Sequence, residues 1–196
     1  MTQPTDVIAL LEHDHRLINE LVELLDGEDD PSEIRRLFLR IVGELSAHEA
    51  VEQQVLFPAF RAKFASTGDD TLAHRMGEHE EMNEMLAEMR GLAPDCFAFV
   101  KRGSALLLEL KGHFLLEQET VFERMKQECG ADELIELGAQ ALAVKQHAPA
   151  FPPDRRTALG RGTGTGSADT PPEAAQWAGK WHWECRDRAH EVGGGG

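Results

Sequence analysis

One short pattern, a histidine followed four residues later by a glutamate, constrains the fold of this chain more than any other feature. His48 and Glu52 form the first copy, and His113 and Glu117 form the second copy 65 residues later. Their neighbours repeat at the same interval: Leu45, Gln53, Leu56 and Phe57 correspond to Leu110, Gln118, Val121 and Phe122. A spacing of four brings both side chains to one face of an α-helix, so the repeat predicts two related helices.

A second repeat precedes each copy of the first. His15 follows an acidic residue and precedes Ile18 and Asn19. His79, 64 residues later, also follows an acidic residue and precedes Met82 and Asn83. Each half of the chain therefore supplies a helical hairpin with one lone histidine and one His-Glu pair, related by approximate two-fold symmetry. We predict an all-α fold, an antiparallel up-down four-helix bundle with a short fifth helix and a disordered C-terminal tail.

Capping residues and turn signals set the expected helix bounds. Helices are expected from residue 5 or 6 to about 27, from 30 to about 64, from 68–70 to 91, from 94 to 130, and from 131 to 147. Pro31 suits the first turn of the second helix, whereas Pro58 should bend its last turns.

The chain changes character after the fifth helix. We expect one domain over residues 1–148 and a flexible Gly/Pro-rich tail over residues 149–196, because the tail has too little apolar surface to offset its chain entropy. Trp177, Trp181 and Trp183 interrupt the tail and would suit a short docking peptide for a protein partner. The favoured interpretation is a flexible tail with a few hydrophobic residues that have no specific partner.

Charge and cysteine content exclude several classes of function. Acidic residues outnumber basic ones by 35 to 20, giving a formal charge of −15 in 196 residues, which disfavours nucleic-acid or anionic-membrane partners. No apolar run is long enough for a membrane span, and the N-terminus has no secretory pattern. The three cysteines are far apart and form no CxxC pair, so we expect a reducing, cytoplasmic location.

Six titratable side chains fall on the apolar faces of these helices. Burying two carboxylates and four imidazoles without partners would be strongly unfavourable, and bound metal would compensate for that burial. Two His-Glu pairs and two lone histidines suit a dinuclear site with open positions. Nitrogen and oxygen ligands favour non-haem iron, with manganese or zinc as lesser candidates. The predicted ligands are His15, His48, Glu52, His79, His113 and Glu117.

The order lone His, HxxxE, lone His, HxxxE in four successive helices resembles the hemerythrin-like HHE cation-binding domain. The resemblance covers roughly residues 6–128, and it implies two non-haem iron ions bridged by both glutamates and by an oxo or hydroxo group. Two positions depart from oxygen-carrying hemerythrins. Arg75 stands where they have a further histidine, and Gln118 stands where they have an aspartate. Simple reversible oxygen transport is therefore in doubt.

Three further residues compete for membership of the site. Glu49, next to His48, is an outside candidate for a seventh metal ligand, because a related iron sensor uses a glutamate so placed. A solvated helix residue is the favoured interpretation of Glu49. His13 and His74 lie off the apolar faces and should be surface histidines.

The resemblance implies a protein that binds small ligands such as O₂, peroxide or NO. The first hypothesis is a catalase-like or other di-iron activity that removes peroxide or reactive oxygen or nitrogen species. The alternative is an oxygen or iron sensor, or an O₂-binding module without turnover. The short tail, too small for an output domain, favours the first hypothesis.

Overall fold

The structure, a computed structural model, describes residues 6–65 and 70–148, and these residues form five helices. Three helices are regular: α1 (Val7–Asp26), α3 (Thr71–Arg90) and α5 (Ala131–His147). Two longer helices each contain a π-helical segment. Helix α2 (residues 31–64) consists of Pro31–Val51, the π-helical Glu52–Leu56 and Phe57–Phe64. Helix α4 (residues 97–128) consists of Phe97–Glu117, the π-helical Gln118–Phe122 and Glu123–Glu128.

The helix starts follow the capping signals of the sequence closely. Asp6 caps α1 by accepting a 2.7 Å hydrogen bond from the Ala9 amide. Asp30 caps α2 by accepting from the amides of residues 32 and 33, with Pro31 in the first turn as predicted. Helix α4 starts slightly later than predicted, because the Cys96 sulfur, 3.4 Å from the Phe99 amide, is the capping group.

The four long helices enclose two apolar cores with a polar layer between them. Helix α1 packs on α2, α3 packs on α4, and α5 covers α1 and α2 from outside. One core lies towards the C-terminal end of α1 and includes Ile18, Phe38 and Leu86. The other core includes Leu11 and Phe60 at the opposite end. The all-α bundle with a fifth helix is therefore confirmed, and its polar layer lies in the middle.

The π-helical segments were not predicted, and they change which residues face inward. In a strict α-helix, Phe57 would lie about 180° from His48 and would face outward. The backbone N–H of Phe57 instead donates to the carbonyl of Glu52, five residues earlier, and the Phe57 side chain is buried. Helix α4 has a similar segment with Glu123, not proline, following it. Pro58 is therefore not required for this widened turn.

Several predictions lie outside the described residues. The tail at residues 149–196, its tryptophan-containing segment and the boundary at residue 148 stay predictions. Within the two described stretches, none of the helices combines the length and the apolar character that crossing a membrane requires.

Candidate metal centre

The six predicted ligand side chains meet in the polar layer between the two cores. Each of the four long helices contributes, and none of the six residues is more than 3% exposed. They are His15 from α1, His48 and Glu52 from α2, His79 from α3, and His113 and Glu117 from α4. The sequence repeat therefore corresponds to a real convergence of side chains.

The first half-site contains the histidines of α1 and α2. His15 Nε2 and His48 Nε2 are 3.3 Å apart. Glu117 Oε2 lies 3.2 Å from His15 Nε2, and Glu52 Oε1 lies 2.9 Å from His48 Nε2. One ligand atom from each of these four residues lies within 4.8 Å of every other.

The second half-site contains the histidines of α3 and α4. His79 Nε2 and His113 Nε2 are 3.1 Å apart, and Glu52 Oε2 lies 3.0 Å from His79 Nε2. The two oxygens of Glu52 thus face different half-sites, which is the arrangement expected of a carboxylate that bridges two ions. Glu117 groups with the first half-site.

Two observations show that these residues fit metal ions. Both oxygens of Glu52 and of Glu117 are buried without a hydrogen-bond partner among the described residues, a costly state for carboxylates in an apolar bundle. The facing imidazole nitrogens also have suitable spacing. Two ligands about 2.1 Å from one ion, at an angle of about 90–105°, lie roughly 3.0–3.3 Å apart. Both His-His pairs match that separation.

Acidic residues on α1 and α3 face the remaining nitrogens of two histidines. Glu78 Oε2 lies 2.7 Å from His113 Nδ1. Asp14 Oδ2 lies 3.6 Å from His48 Nδ1, too long for a hydrogen bond but close for an ionic contact. Such carboxylates orient metal-binding imidazoles and fix the proton on the nitrogen that faces away from the metal. The other oxygen of Asp14 pairs with Lys145 of α5.

Both positions that depart from oxygen-carrying hemerythrins lie beside ligand histidines or their partners. Arg75 is buried and donates to Glu78 at 2.7 Å and to the carbonyl of His113 at 3.5 Å. The amide of Gln118 lies 3.1 Å from His15 Nδ1. Since an amide can turn to offer its oxygen, Gln118 can accept the Nδ1 proton of a metal-bound His15.

Aromatic rings pack against the candidate ligand histidines. Phe114 stacks on the His15 ring with centroids 4.0 Å apart, and Phe122 also stacks on the His15 ring, at 5.4 Å. Phe57 stacks on His79 at 5.9 Å. Phe57 and Phe122 are equivalent in the repeat, and both are buried. Phe57 directly follows one π-helical segment, and Phe122 is the last residue of the other.

Burial and neighbouring charges divide the histidines into two groups. Burial lowers the pKa of His15 to about 2 and that of His113 to about 4, so both are neutral and able to bind metal. Burial would also lower the pKa of His48, but the charge of Glu52 and contacts with Asp14 and Glu52 raise it to about 9. Without metal, His48 therefore holds a proton at neutral pH.

The two glutamates titrate differently because they share one buried space. Burial and the charge of Glu52 raise the pKa of Glu117 well above its usual value. Burial would raise the pKa of Glu52 as well, but the charge of His48 and close contacts with Glu117 and His79 hold the pKa of Glu52 well below its usual value. A cation bound between them would weaken the repulsion that raises the pKa of Glu117.

The three residues that compete for membership of the site, His13, His74 and Glu49, differ in exposure. His13 and His74 are exposed, as predicted. The solvated interpretation of Glu49 is wrong, because Glu49 is 5% exposed and accepts a 2.9 Å hydrogen bond from Asn83. Its Oε1 has no partner among the described residues, although it is not grouped with either half-site. Burial raises the pKa of Glu49.

Comparison with known proteins agrees with this geometry. The family described as the hemerythrin HHE cation-binding domain matches residues 6–125. The chain belongs to the hemerythrin HHE cation-binding domain family. The match includes all six predicted ligands. Membership indicates a cation-binding protein, and the His/Glu cluster of this HHE domain is where metal could be held.

Two more distant similarities accompany the family match. A solved structure of a hemerythrin HHE cation-binding domain-containing protein from Mycobacterium kansasii has a TM-score of 0.64. It is 19% identical and covers 73% of this chain and 86% of its own, so it supports the fold. A curated relative from Nostoc, named DNA nickase, is 24% identical over 143 residues. The aligned region spans 73% of this chain but 40% of that protein.

Proposed function

We propose that this HHE domain binds two non-haem iron ions and handles peroxide or related reactive oxygen or nitrogen species. His15 and His48 would hold one ion, and His79 and His113 the other. Glu52 and Glu117 would bridge or complete the pair, with Glu49 as the candidate seventh ligand. The observation that supports this proposal best is Glu52, whose two buried oxygens face two different histidine pairs.

When bound, a ferrous/ferric pair supplies the redox capacity that peroxide disproportionation requires. The chain supplies the surroundings. Phe57, Phe114 and Phe122 surround the histidines with apolar surface, which suits small uncharged ligands and excludes bulk water. Asp14 and Glu78 hold the imidazoles of His48 and His113 in the orientation that directs Nε2 inward.

The test is oxygen release from hydrogen peroxide by the iron-reconstituted protein. We expect release by the native chain and by Glu84→Ala, because Glu84 is an exposed residue of α3. We expect loss in Glu52→Ala, which removes the carboxylate shared by the half-sites. An iron-bound native protein that releases no oxygen would exclude the peroxide role.

A second candidate is an oxygen or iron sensor, favoured by the origin of the ligands in four different helices. Metal that ties four helices together couples its binding to the stability of the bundle, which is what a sensor needs. A protein that binds iron, changes stability strongly and shows no peroxide turnover would favour this candidate. The aligned region spans 40% of the Nostoc relative, so that protein's name is not by itself evidence for DNA cleavage by this chain.

A further inference from the structure

A buried carboxylate outside the ligand set needs an explanation. Asp14 is 2% exposed, and its Oδ2 faces His48 Nδ1 at 3.6 Å. This nitrogen has no hydrogen-bond partner within residues 6–65 and 70–148. Burying an ion pair generally adds little stability compared with apolar residues of similar size. Its position behind a predicted ligand indicates that Asp14 serves the metal centre and not the packing of α1.

The internal repeat provides the comparison that identifies the partner of Asp14. In the second half, Glu78 contacts His113, and Arg75, three residues earlier on the same helix, holds Glu78 at 2.7 Å. The equivalent of Arg75 in the first half is Leu11, which is fully buried in the apolar core. Helix α1 therefore offers no cation for Asp14 at the position that α3 uses.

The missing cation comes from a helix outside the repeat. Lys145 of α5 contacts Asp14 Oδ1, and the Lys145 side chain is 22% exposed. Each half of the bundle thus has a chain of cation, carboxylate and imidazole: Arg75, Glu78 and His113 in one, Lys145, Asp14 and His48 in the other. The same charge arrangement is reached from two different helices.

We propose that Lys145 is a positioning residue for the His15/His48 half-site, acting through Asp14 on His48. This inference rests on the proposed metal centre. Lys145 holds one oxygen of Asp14, so that the other oxygen stays directed at His48 Nδ1 and keeps His48 Nε2 pointing inward. The fifth helix is then part of the metal centre and not only a cover for α1 and α2.

The chain offers a matched control for this idea. Lys63 of α2 also pairs with α5, through Glu133 at 2.9 Å, but neither residue contacts the candidate ligands. Lys63→Met and Lys145→Met each remove one ion pair between α5 and the bundle. The apolar packing of α5, which includes Leu134 and Ala141, remains in both variants.

The experiment titrates the full-length, metal-free protein with cobalt(II) against a chromophoric chelator. For Lys145→Met we expect one of the two cobalt affinities to fall roughly 3- to 10-fold. Replacing a residue that contacts a metal ligand directly typically costs about 10- to 100-fold, and Lys145 acts one residue further away. Lys145→Arg should recover most of that loss, and Lys63→Met should match the native protein. In the cobalt form, the NMR signal of the His48 Nδ1 proton is paramagnetically shifted. In Lys145→Met its chemical shift should change, and the proton should exchange with solvent faster.

Each other outcome counts against the inference. Unchanged or tighter binding in Lys145→Met would overturn it, as would equal weakening of both sites or an equal effect of Lys63→Met. If Lys145→Met is unfolded without metal, Asp14→Asn replaces it, with an expected loss of about 10- to 100-fold at one site; unchanged binding there overturns the inference. A native protein that binds fewer than two cobalt ions would refute the proposed metal centre itself.

Discussion

Replacing Glu52 by glutamine should remove most of the stabilisation that metal gives to this bundle. The Glu52 oxygens lie 2.9 Å from His48 Nε2 and 3.0 Å from His79 Nε2, so one substitution affects both half-sites. Glutamine keeps the shape but lacks the charge and the second oxygen ligand that a bridge needs.

The size of the effect follows from the number of sites. Free metal at a hundredfold excess over the dissociation constant adds about 2.7 kcal/mol per site, hence about 5 kcal/mol for two sites. In a domain of this size each kcal/mol raises the melting temperature by about 2–4 °C, so metal should raise it by roughly 10–20 °C. In Glu52→Gln we expect a rise of less than about 5 °C.

The assay is thermal unfolding followed by circular dichroism, with metal and with chelator, for each variant. Comparing each protein with its own metal-free form cancels any effect of the substitution on the bundle alone. Glu84→Gln, on the exposed face of α3, is the matched control and should retain the full metal-dependent rise. A full rise in Glu52→Gln, or no rise in the native protein, would refute this reasoning.

Three further predictions follow from the same geometry. Glu78→Gln should weaken one metal site about 10- to 100-fold, because His113 loses the carboxylate that orients it. Competition with a chelator measures this, and native affinity at both sites would contradict it. Metal binding at pH 7 should release at least one proton, because His48 with its pKa of about 9 must become neutral, so affinity should fall as pH falls. Calorimetry in two buffers of different ionisation enthalpy measures this, and zero release would contradict it. Finally, supercoiled plasmid should stay intact with the metal-bound protein and a radical scavenger, given the net charge of −15; nicking would instead extend the relative's activity to this chain.

Much of the bundle could be predicted from the sequence, because its signals are local. The helix bounds follow from caps such as Asp6 and Asp30, whose side chains accept from amides in the first turn. The convergence of the six side chains follows from helical spacing applied twice, once in each half. Repetition made the prediction strong, since a lone histidine on an apolar face rarely indicates a metal site.

The remaining features depend on contacts that no local pattern encodes. Lys145 reaches Asp14 across 131 residues of sequence, from a helix that lies outside the repeat. Glu49 is buried and accepts a hydrogen bond from Asn83 of a different helix. One sequence feature indicates the π-helical segment of α2. Val55, Leu56 and Phe57 are consecutive and all buried, although one face of a regular α-helix cannot bury three consecutive residues.

The most direct test of the account is a count of iron in the reconstituted, desalted protein, together with its near-ultraviolet spectrum. We predict two iron ions per chain and strong charge-transfer absorption from a bridged ferric pair, both lost in Glu52→Ala. One ion or fewer per native chain, or two ions retained after Glu52→Ala, would contradict a dinuclear centre shared through this glutamate.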